Sequence, residues 1–403
     1  MDFEDSPQEA AFRMEVRAWL EENAPAFAFA PGEKLTDHEI VQRGCAWQKR
    51  MAEGGYAGIL LPRHLGGRGG SIVEAVVFGE EAAQFDLPRG AYLNIGMGMA
   101  LPVIGKHGTP EQIERFTGPT LRGELTWCQL FSEPAAGSDL AAVRTSAVRD
   151  GDDYIVNGQK VWSSWAHETD WGILIARTDP TVPKHKGLSF FVVDMKTPGI
   201  EVRPIRQISG ASDFNETFLT DVRIPQSSRI GAEGDGWACA MTVLMGERLN
   251  QGGSRGDRGI ARLIRLAAKT PRGEGTALDS SAVRLALAEA YAEEQGERWF
   301  QARLRTMVSR GDNPGALASM VKLAFANRLQ RTSGLAMEVL GMAGVAPMDD
   351  DAVTQDIHED YIWSTALRIA GGADEVLRNQ IAERVLGMPG DMRADKGVPF
   401  NKL

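Results

Sequence analysis

Apolar side chains recur at three- and four-residue intervals through residues 1–124, as in Phe12, Val16, Trp19 and Leu20, a period that predicts a first helical domain. The loop PRHLGGRGGS at 62–71 interrupts it; lacking the Lys-Ser/Thr of a P-loop, it reads as a connector ahead of the helical run Ile72, Val73, Val76, Val77 and Phe78. Between about 125 and 235 the period changes to that of strands, in SAVRDGDDYIVNGQKVW, WGILIARTD, GLSFFVVDMKTPGIEVRPI and ETFLTDVRIP, which predicts a β-domain. Asn157-Gly158, between YIV and QKVW, predicts a two-residue hairpin turn, because both central positions of a type I′ turn want positive φ. From Gly236 onward the helical period returns, through AMTVLMGERLNQ, SSAVRLALAEAYAEEQGERWF, GALASMVKLAFANRLQRTSGLAMEVLG and ADEVLRNQIAERVLG, and predicts a helical bundle. Helix, strand and helix blocks in succession, without alternation, predict an α+β fold with domains 1–124, 125–235 and 236–403.

Composition narrows the function. The 403 residues are 43% hydrophobic and 24% charged, the balance of a folded globular chain. A net charge of -10 argues against a nucleic-acid partner, since duplex binding needs a basic face. A polyanionic ligand therefore has to be seated by a few local cations. Cys45, Cys128 and Cys239 match neither a zinc site nor a disulfide framework and suit a reducing compartment. The start of the chain has no basic segment followed by an apolar run, and no window reaches roughly 18 uninterrupted apolar residues. The expectation is a cytoplasmic protein without membrane contact. His38, His64, His107, His167, His185 and His358 show no metal spacing, so no metal is expected. GGSRG at 252–256 fits the nucleophile-elbow pattern of hydrolases, but it follows a helical run where an elbow needs a strand.

Two stretches carry chemistry. CQLFSEPAAGSDL at 128–140 lies at the junction of helical and β portions, a small-residue loop whose backbone N–H groups can approach a ligand closely. GQKVWSSWAHETDWGILIARTD at 158–179 follows, with Trp162, Ser163 and Ser164 in sequence. Together they resemble the acyl-CoA dehydrogenase family, whose members carry a Ser/Thr-Glu-Pro-x-Ala-Gly-Ser-Asp loop and then an Asn-Gly-x-Lys-x-Trp segment. PRHLGGRGG, GKHGTPEQIERF, FNETFLTDVRIP, GDGW, GERL and AERVLGMPG extend the similarity along nearly the whole chain. It looks most like the bacterial branch that often works as paired, non-identical subunits.

The resemblance implies an N-terminal helical domain, a central β-domain and a C-terminal four-helix bundle, with FAD between domains and across a subunit interface. It implies an acyl-CoA substrate, an electron-transfer flavoprotein as electron acceptor, and a homotetramer or heterotetramer. Carried over residue by residue, it puts Gln129, Ser132, Ser138, Trp162, Ser163, Ser164, Gly372, Ala373 and Glu375 at the cofactor, with Ser138 between flavin and CoA. Arg248 would line the substrate site, and the Gly371 backbone N–H would help polarise the thioester carbonyl.

The reaction needs a base for the α-proton and an acceptor for the β-hydride, and a carboxylate becomes competent as a base when burial raises its proton affinity. Many relatives carry that base as the Glu of a Glu-Gly-Thr sequence near the C-terminus. Here the matching residues are Gly371, Gly372 and Ala373. A minority of the family places the base on a helix after the β-domain, and GERL puts Glu247 there. Ala240, Val243 and Leu244 lie seven, four and three residues before it, so position 247 shares an apolar helix face. On periodicity alone, a salt bridge at the stripe edge and a functional acid both remain open. The missing C-terminal Glu favours the base.

Two segments depart from the family. Its Arg-x-x-Phe-Gly segment, which reaches a neighbour's FAD pyrophosphate, is not legible in KTPRGEGTALDSS, where Arg272 is a substitute. Its Gln-x-x-Gly-Gly stretch has become EVLGMAG, with Glu338 in place of Gln. Two readings follow: an FAD-dependent dehydrogenase forming a trans-2-enoyl-CoA, or a non-catalytic partner subunit completing another chain's site. A third is a related oxidase.

Overall fold

The computed structural model describes residues 5–30, 33–88, 90–250, 259–310, 312, 315–346, 352–390 and 392–403, with the backbone alone at 245–250, 305, 308, 309, 318 and 352. Helices α1 (Pro7–Asn23), α2 (Asp37–Glu53), α3 (Ile72–Ala82), α4 (Ala91–Ile95), α5 (Leu101–His107) and α6 (Pro110–Leu121) come first. Four of these begin on capping boxes: Ser6 with Glu9, Thr36 with Glu39, Ser71 with Glu74, and Thr109 with Gln112. In each, the hydroxyl and the third-residue side chain satisfy one another's backbone N–H groups, which defines where the helix starts. The glycine-rich loop at 62–71 thus ends in a helix cap. Phe12, Val16, Leu20, Trp47 and Tyr56 close this part of the core.

The strands are β1 (Trp127–Leu130), β2 (Ser146–Asp150), β3 (Asp153–Ser164), β4 (Trp171–Arg177), β5 (Leu188–Asp194), β6 (Ile200–Ile205), β7 (Phe214–Pro225) and β8 (Arg229–Ile230). They pair in the order β6-β7-β3-β2-β4-β5-β8, with β1 parallel to β4. β4 and β5 are buried almost without break, because both of their faces are covered. One face packs with Cys128, Leu130, Tyr154, Val156 and Leu219 inside the sheet layer. The other carries Ile173, Ile175, Phe190 and Val192, which meet Val103, Ile104 and Phe116 of the N-terminal helices. Each large side chain so buried contributes roughly 1.5–3 kcal/mol.

The hairpin expected at Asn157-Gly158 is not there. β3 runs straight through both residues, and its pairing with β7 shifts register between Val156 and Gly158, where β7 carries one residue more, with Asp221 at φ 49°, so the pair lies opposite a bulge of β7. The turn lies earlier: Asp150 pairs with Asp153, and Gly151 takes φ 62° at the first central position, as type II′ turns require. Asn157 instead clips the neighbouring strand, donating from Nδ2 to Asp221 and accepting the Asp221 N–H. Glycine is needed at 158 because a Cβ there would lie 2.3 Å from Thr145 Oγ1. Asn-Gly chemistry served close packing and not a reversal of the chain.

Helices α7 (Gly236–Asn250), α8 (Ile260–Lys269), α9 (Ser281–Ser309), α10 (Ala318–Leu340), α11 (Met342–Val345), α12 (Ala352–Ala366) and α13 (Asp374–Arg384) complete the α+β order, with a short hairpin of β9 (Pro271–Arg272) and β10 (Gly275–Thr276) before α9. Leu263, Ala267, Leu287, Ala290, Ala336, Val339 and Ile357 form the bundle core. α7 also sends Cys239, Ala240 and Val243 into the cluster between sheet and N-terminal helices. That helix therefore crosses the meeting point of all three blocks. Among the described residues no helix is long and apolar enough to cross a membrane.

Candidate active site

Among the described residues, two of the three non-glycine residues with positive φ lie at the end of β3. Trp162 has φ 62° and Trp165 has φ 56°, the left-handed region, which bulky residues enter at a cost of about 1–3 kcal/mol. Trp165 packs edge-on against Tyr92 at 5.3 Å and stacks on His167, so its packing offsets that cost. Trp162 has less to offset it: its side chain is 58% exposed. An exposed aromatic held in a strained bend is a candidate contact surface.

Around it the predicted residues gather. The Ser132 carbonyl accepts the Val161 N–H at 2.9 Å, which lays the loop after β1 against the strand beside Trp162. Ser163 and Ser164 pair with Asn215 and Phe214 of β7. The Ser163 side chain is fully buried, and its hydroxyl has no partner among the described residues. Gln129 occupies the face of β1 shared with Trp127, toward the helices. Ser138 is exposed, and its neighbour Asp139 is fastened by Lys184 Nζ at 2.7 Å.

An aromatic row connects this strand end to the bundle. The Trp162 ring meets Phe214 edge-on at 5.9 Å, and Phe214 stacks on Trp363 of α12 at 6.0 Å. A few residues further on, Gly371 and Gly372 take φ 66° and 103° in the turn before α13. Buried Lys322 of α10 donates to the Gly372 carbonyl at 2.7 Å, and Arg368 pairs with buried Asp374 across the turn. Ala373 is the residue preceding α13, and Glu375 is exposed in its first turn. The end of β3 is thereby joined to α12, the helix that precedes the glycine turn.

Glu247 and Arg248 lie on α7, but their side chains fall outside the described residues. The face that precedes position 247 by helical spacing is in place, since Ala240 and Val243 are fully buried and Leu244 packs beside them. Arg272 and Glu338, at the two departures from the family pattern, are exposed.

Sequence reasoning missed the polar pair behind Trp162. Lys160 is fully buried, and its Nζ donates to Glu133 at 2.9 Å and to the Phe131 carbonyl at 3.0 Å. Burial pulls the Lys160 ammonium down to about 8, against the opposing pull of Glu133. Burial would raise Glu133, but Lys160 and the N–H groups of Thr145 and Arg144 outweigh it and hold the carboxyl below its ordinary range. The signal was available: Tyr154, Val156 and Lys160 occupy inward positions of one strand, and an inward lysine requires a partner.

The residues fit a flavin. An open aromatic face at Trp162 and a buried Ser163 hydroxyl without a partner among the described residues meet at one strand end, and Gly137, in the loop carrying Ser132 and Ser138, has nothing within 4 Å of where a Cβ would be.

Three family models cover the chain: the N-terminal domain of acyl-CoA dehydrogenase matches residues 6–124, the middle domain 128–222 and the C-terminal domain 234–386. Acyl-CoA dehydrogenase IpdE1 of Mycobacterium tuberculosis is 38% identical over 386 residues, covering 94% of this chain and 97% of that protein. Acyl-CoA dehydrogenase FadE34 of the same organism is 40% identical over 345 residues, 85% of this chain but 46% of that longer protein. Among solved structures, the Tcur3481-Tcur3483 steroid ACAD superposes with TM-score 0.81 at 28% identity, over 97% of this chain and 100% of that one. The ChsE4-ChsE5 complex from Mycobacterium tuberculosis superposes with TM-score 0.79 at 29% identity, again over 97% and 100%.

Proposed function

The chain belongs to the acyl-CoA dehydrogenase family, and from that premise we propose that it converts an acyl-CoA to a trans-2-enoyl-CoA, with Glu247 as the base and FAD as its cofactor. FAD, when bound, supplies the acceptor for the β-hydride at its N5 position. Ser132 would hydrogen-bond the ring system, Trp162 with Ser163 and Ser164 would flank it, and Gln129, Gly372, Ala373 and Glu375 would complete the contacts. The observation that carries this reading is Trp162, strained at φ 62° yet 58% exposed.

Glu247 takes the α-proton in this scheme. By helical spacing its position follows Ala240 and Val243, both fully buried, and an apolar setting raises a carboxylate's affinity for a proton toward the useful range. The backbone N–H of Gly371 faces the thioester oxygen as enolate charge develops, and a preorganised donor there lowers the barrier. Arg248 and Ser138 seat the acyl-CoA. The electrons leave to an electron-transfer flavoprotein.

A second reading has its own support. Gly371 stands where many relatives place the base, and two of the similar structures bear paired names. A heterotetramer with a related chain is accordingly the proposed assembly, with a homotetramer as its alternative, and a non-catalytic role within such an assembly is the competing reading. The name of one neighbour, a steroid ACAD, makes a bulky polycyclic acyl group the substrate class to try first.

Anaerobic bleaching of the flavin against linear, branched and steroid-like acyl-CoAs tests the proposal. Bleaching of the purified chain by one class supports it. A colourless, inert homomer that acquires flavin only with a second chain favours the partner role. Steady peroxide production during turnover marks an oxidase.

A further inference from the structure

We propose that Glu133 and Lys160 are positioning residues for the cofactor: together they clamp the Phe131–Glu133 loop to β3 and so set where Ser132 and Trp162 meet the flavin. The inference rests on the reading that Ser132 and Trp162 flank that ring.

One ammonium holds both neighbours of Ser132. Lys160 Nζ donates to the Phe131 carbonyl at 3.0 Å and to Glu133 Oε1 at 2.9 Å. Glu133 in turn accepts the Thr145 N–H at 2.9 Å on Oε1 and the Arg144 N–H at 2.6 Å on Oε2. Three separate stretches are thereby tied at a single carboxylate: the loop after β1, the residues leading into β2, and β3. Ser132 sits between the two tethered residues, with its own carbonyl on Val161.

The next anchor lies just past Trp162. Asn215 Nδ2 donates to the Ser163 carbonyl at 2.9 Å, and Asn215 Oδ1 meets His167 Nδ1 at 3.0 Å. Trp162 is thus bracketed by fully buried Lys160 and fully buried Ser163, and β3 loses register with β7 between those two residues. Two rigid points with one residue too many between them push the indole outward.

Stability does not account for the pair. A buried ion pair usually gains little or nothing over an apolar pair of the same volume. What an apolar pair cannot do is direct the Phe131 carbonyl and two backbone N–H groups at the same time. The geometry assigns the ion pair to that task.

The test compares Glu133→Gln/Lys160→Met, Lys160→Met and Trp162→Ala with the wild-type enzyme. The readouts are FAD dissociation constant, flavin visible spectrum and thermal unfolding. Lys160→Met alone is expected to lose both stability and FAD affinity, since Glu133 is left buried and unpaired. The double variant is expected to regain the stability but to bind FAD at least tenfold more weakly, with an altered flavin band. Wild-type affinity and spectrum in the double variant overturn the proposal. Trp162→Ala separates this from the underlying reading: if it leaves affinity and spectrum untouched, the flavin does not sit there. Should the double variant fail to fold, Glu133→Gln alone is read, with at least threefold weaker FAD expected and an unchanged constant as the refuting result.

Discussion

Gly236 packs directly against Leu188: a Cβ at Gly236 would lie 2.6 Å from the Leu188 carbonyl carbon and 2.6 Å from the next backbone nitrogen. No flexible side chain can give way, because both atoms belong to the backbone of β5. The first residue of α7 is therefore seated on β5, a strand buried almost without break. Alanine is the better helix former by up to about 1 kcal/mol, yet forced overpacking costs about 1–3 kcal/mol. Gly236→Ala is expected to lower stability in urea denaturation by roughly 1–2 kcal/mol on balance and to reduce turnover, since α7 carries Glu247. An equally stable and active variant would show that α7 can slide without consequence.

The C-terminal segment is bound to the β-domain by a ring contact, backbone hydrogen bonds and an ion pair. Arg177 lies over Phe400 with its guanidinium 3.4 Å from the ring centre, while its nitrogens donate to the carbonyls of Ala141, Val143 and Lys184. Burial pulls the guanidinium down to about 10, so it keeps its charge at neutral pH. The Phe400 N–H donates to the Val182 carbonyl, and Lys184 bridges Asp395 and Asp139. Phe400→Ala removes a desolvated cation–π contact of up to about 2 kcal/mol. Limited proteolysis should then cut the last dozen or so residues several times faster than in the wild type, with an unfolding midpoint lower by a few degrees; an unchanged digestion rate would contradict this anchoring role.

The Glu133–Lys160 pair gives stability a pH signature with a definite sign. Lys160 sits at about 8 in the folded protein against an ordinary 10.5. Between those values the unfolded chain holds a proton that the folded chain has released, so this group's contribution to stability rises with pH across that window. Glu133 lies below its ordinary value, so its contribution is complete above the unfolded value and is lost as pH falls through the folded one. The difference in urea stability between wild type and Glu133→Gln/Lys160→Met should therefore shift in favour of the wild type from pH 7.5 to 9.5. A constant difference over that range would mean that Lys160 does not titrate there.

Much of this architecture was legible because the periods change where the fold changes. The runs at Phe12–Leu20 and in β4 and β5 bury the faces that their spacing announced. Asn157-Gly158 misled because the same dipeptide serves a turn or a strand facing a bulged neighbour, and only the partner strand decides: Asp221 accepts and donates across it, while Gly151 makes the reversal. Ser132 and Trp162 were singled out only through the resemblance, since nothing local distinguishes a strained Trp from one in a β-core. Lys160 could be read as inward-facing, but its partner Glu133 stands 27 residues earlier, a distance that only the folded chain closes.

Glu247→Gln addresses the central chemical assignment. Glutamine preserves the size of the side chain and its place on the face continued from Ala240 and Val243, so packing and cofactor content should stay as they are. It removes the one property at issue, the capacity to take a proton. Loss of a general base lowers turnover by about 10²–10⁴-fold, and at least that is expected here in acyl-CoA-dependent reduction of an artificial electron acceptor. Flavin stoichiometry read from visible absorbance should match the wild type, and acyl-CoA should still perturb the flavin band without bleaching it. If the variant bleaches at near-normal rate, the base lies on another residue or on a partner chain, and the non-catalytic reading gains ground. If flavin is lost together with activity, the variant has disturbed α7 itself, and Glu247→Asp must show the same loss before any structural role is assigned.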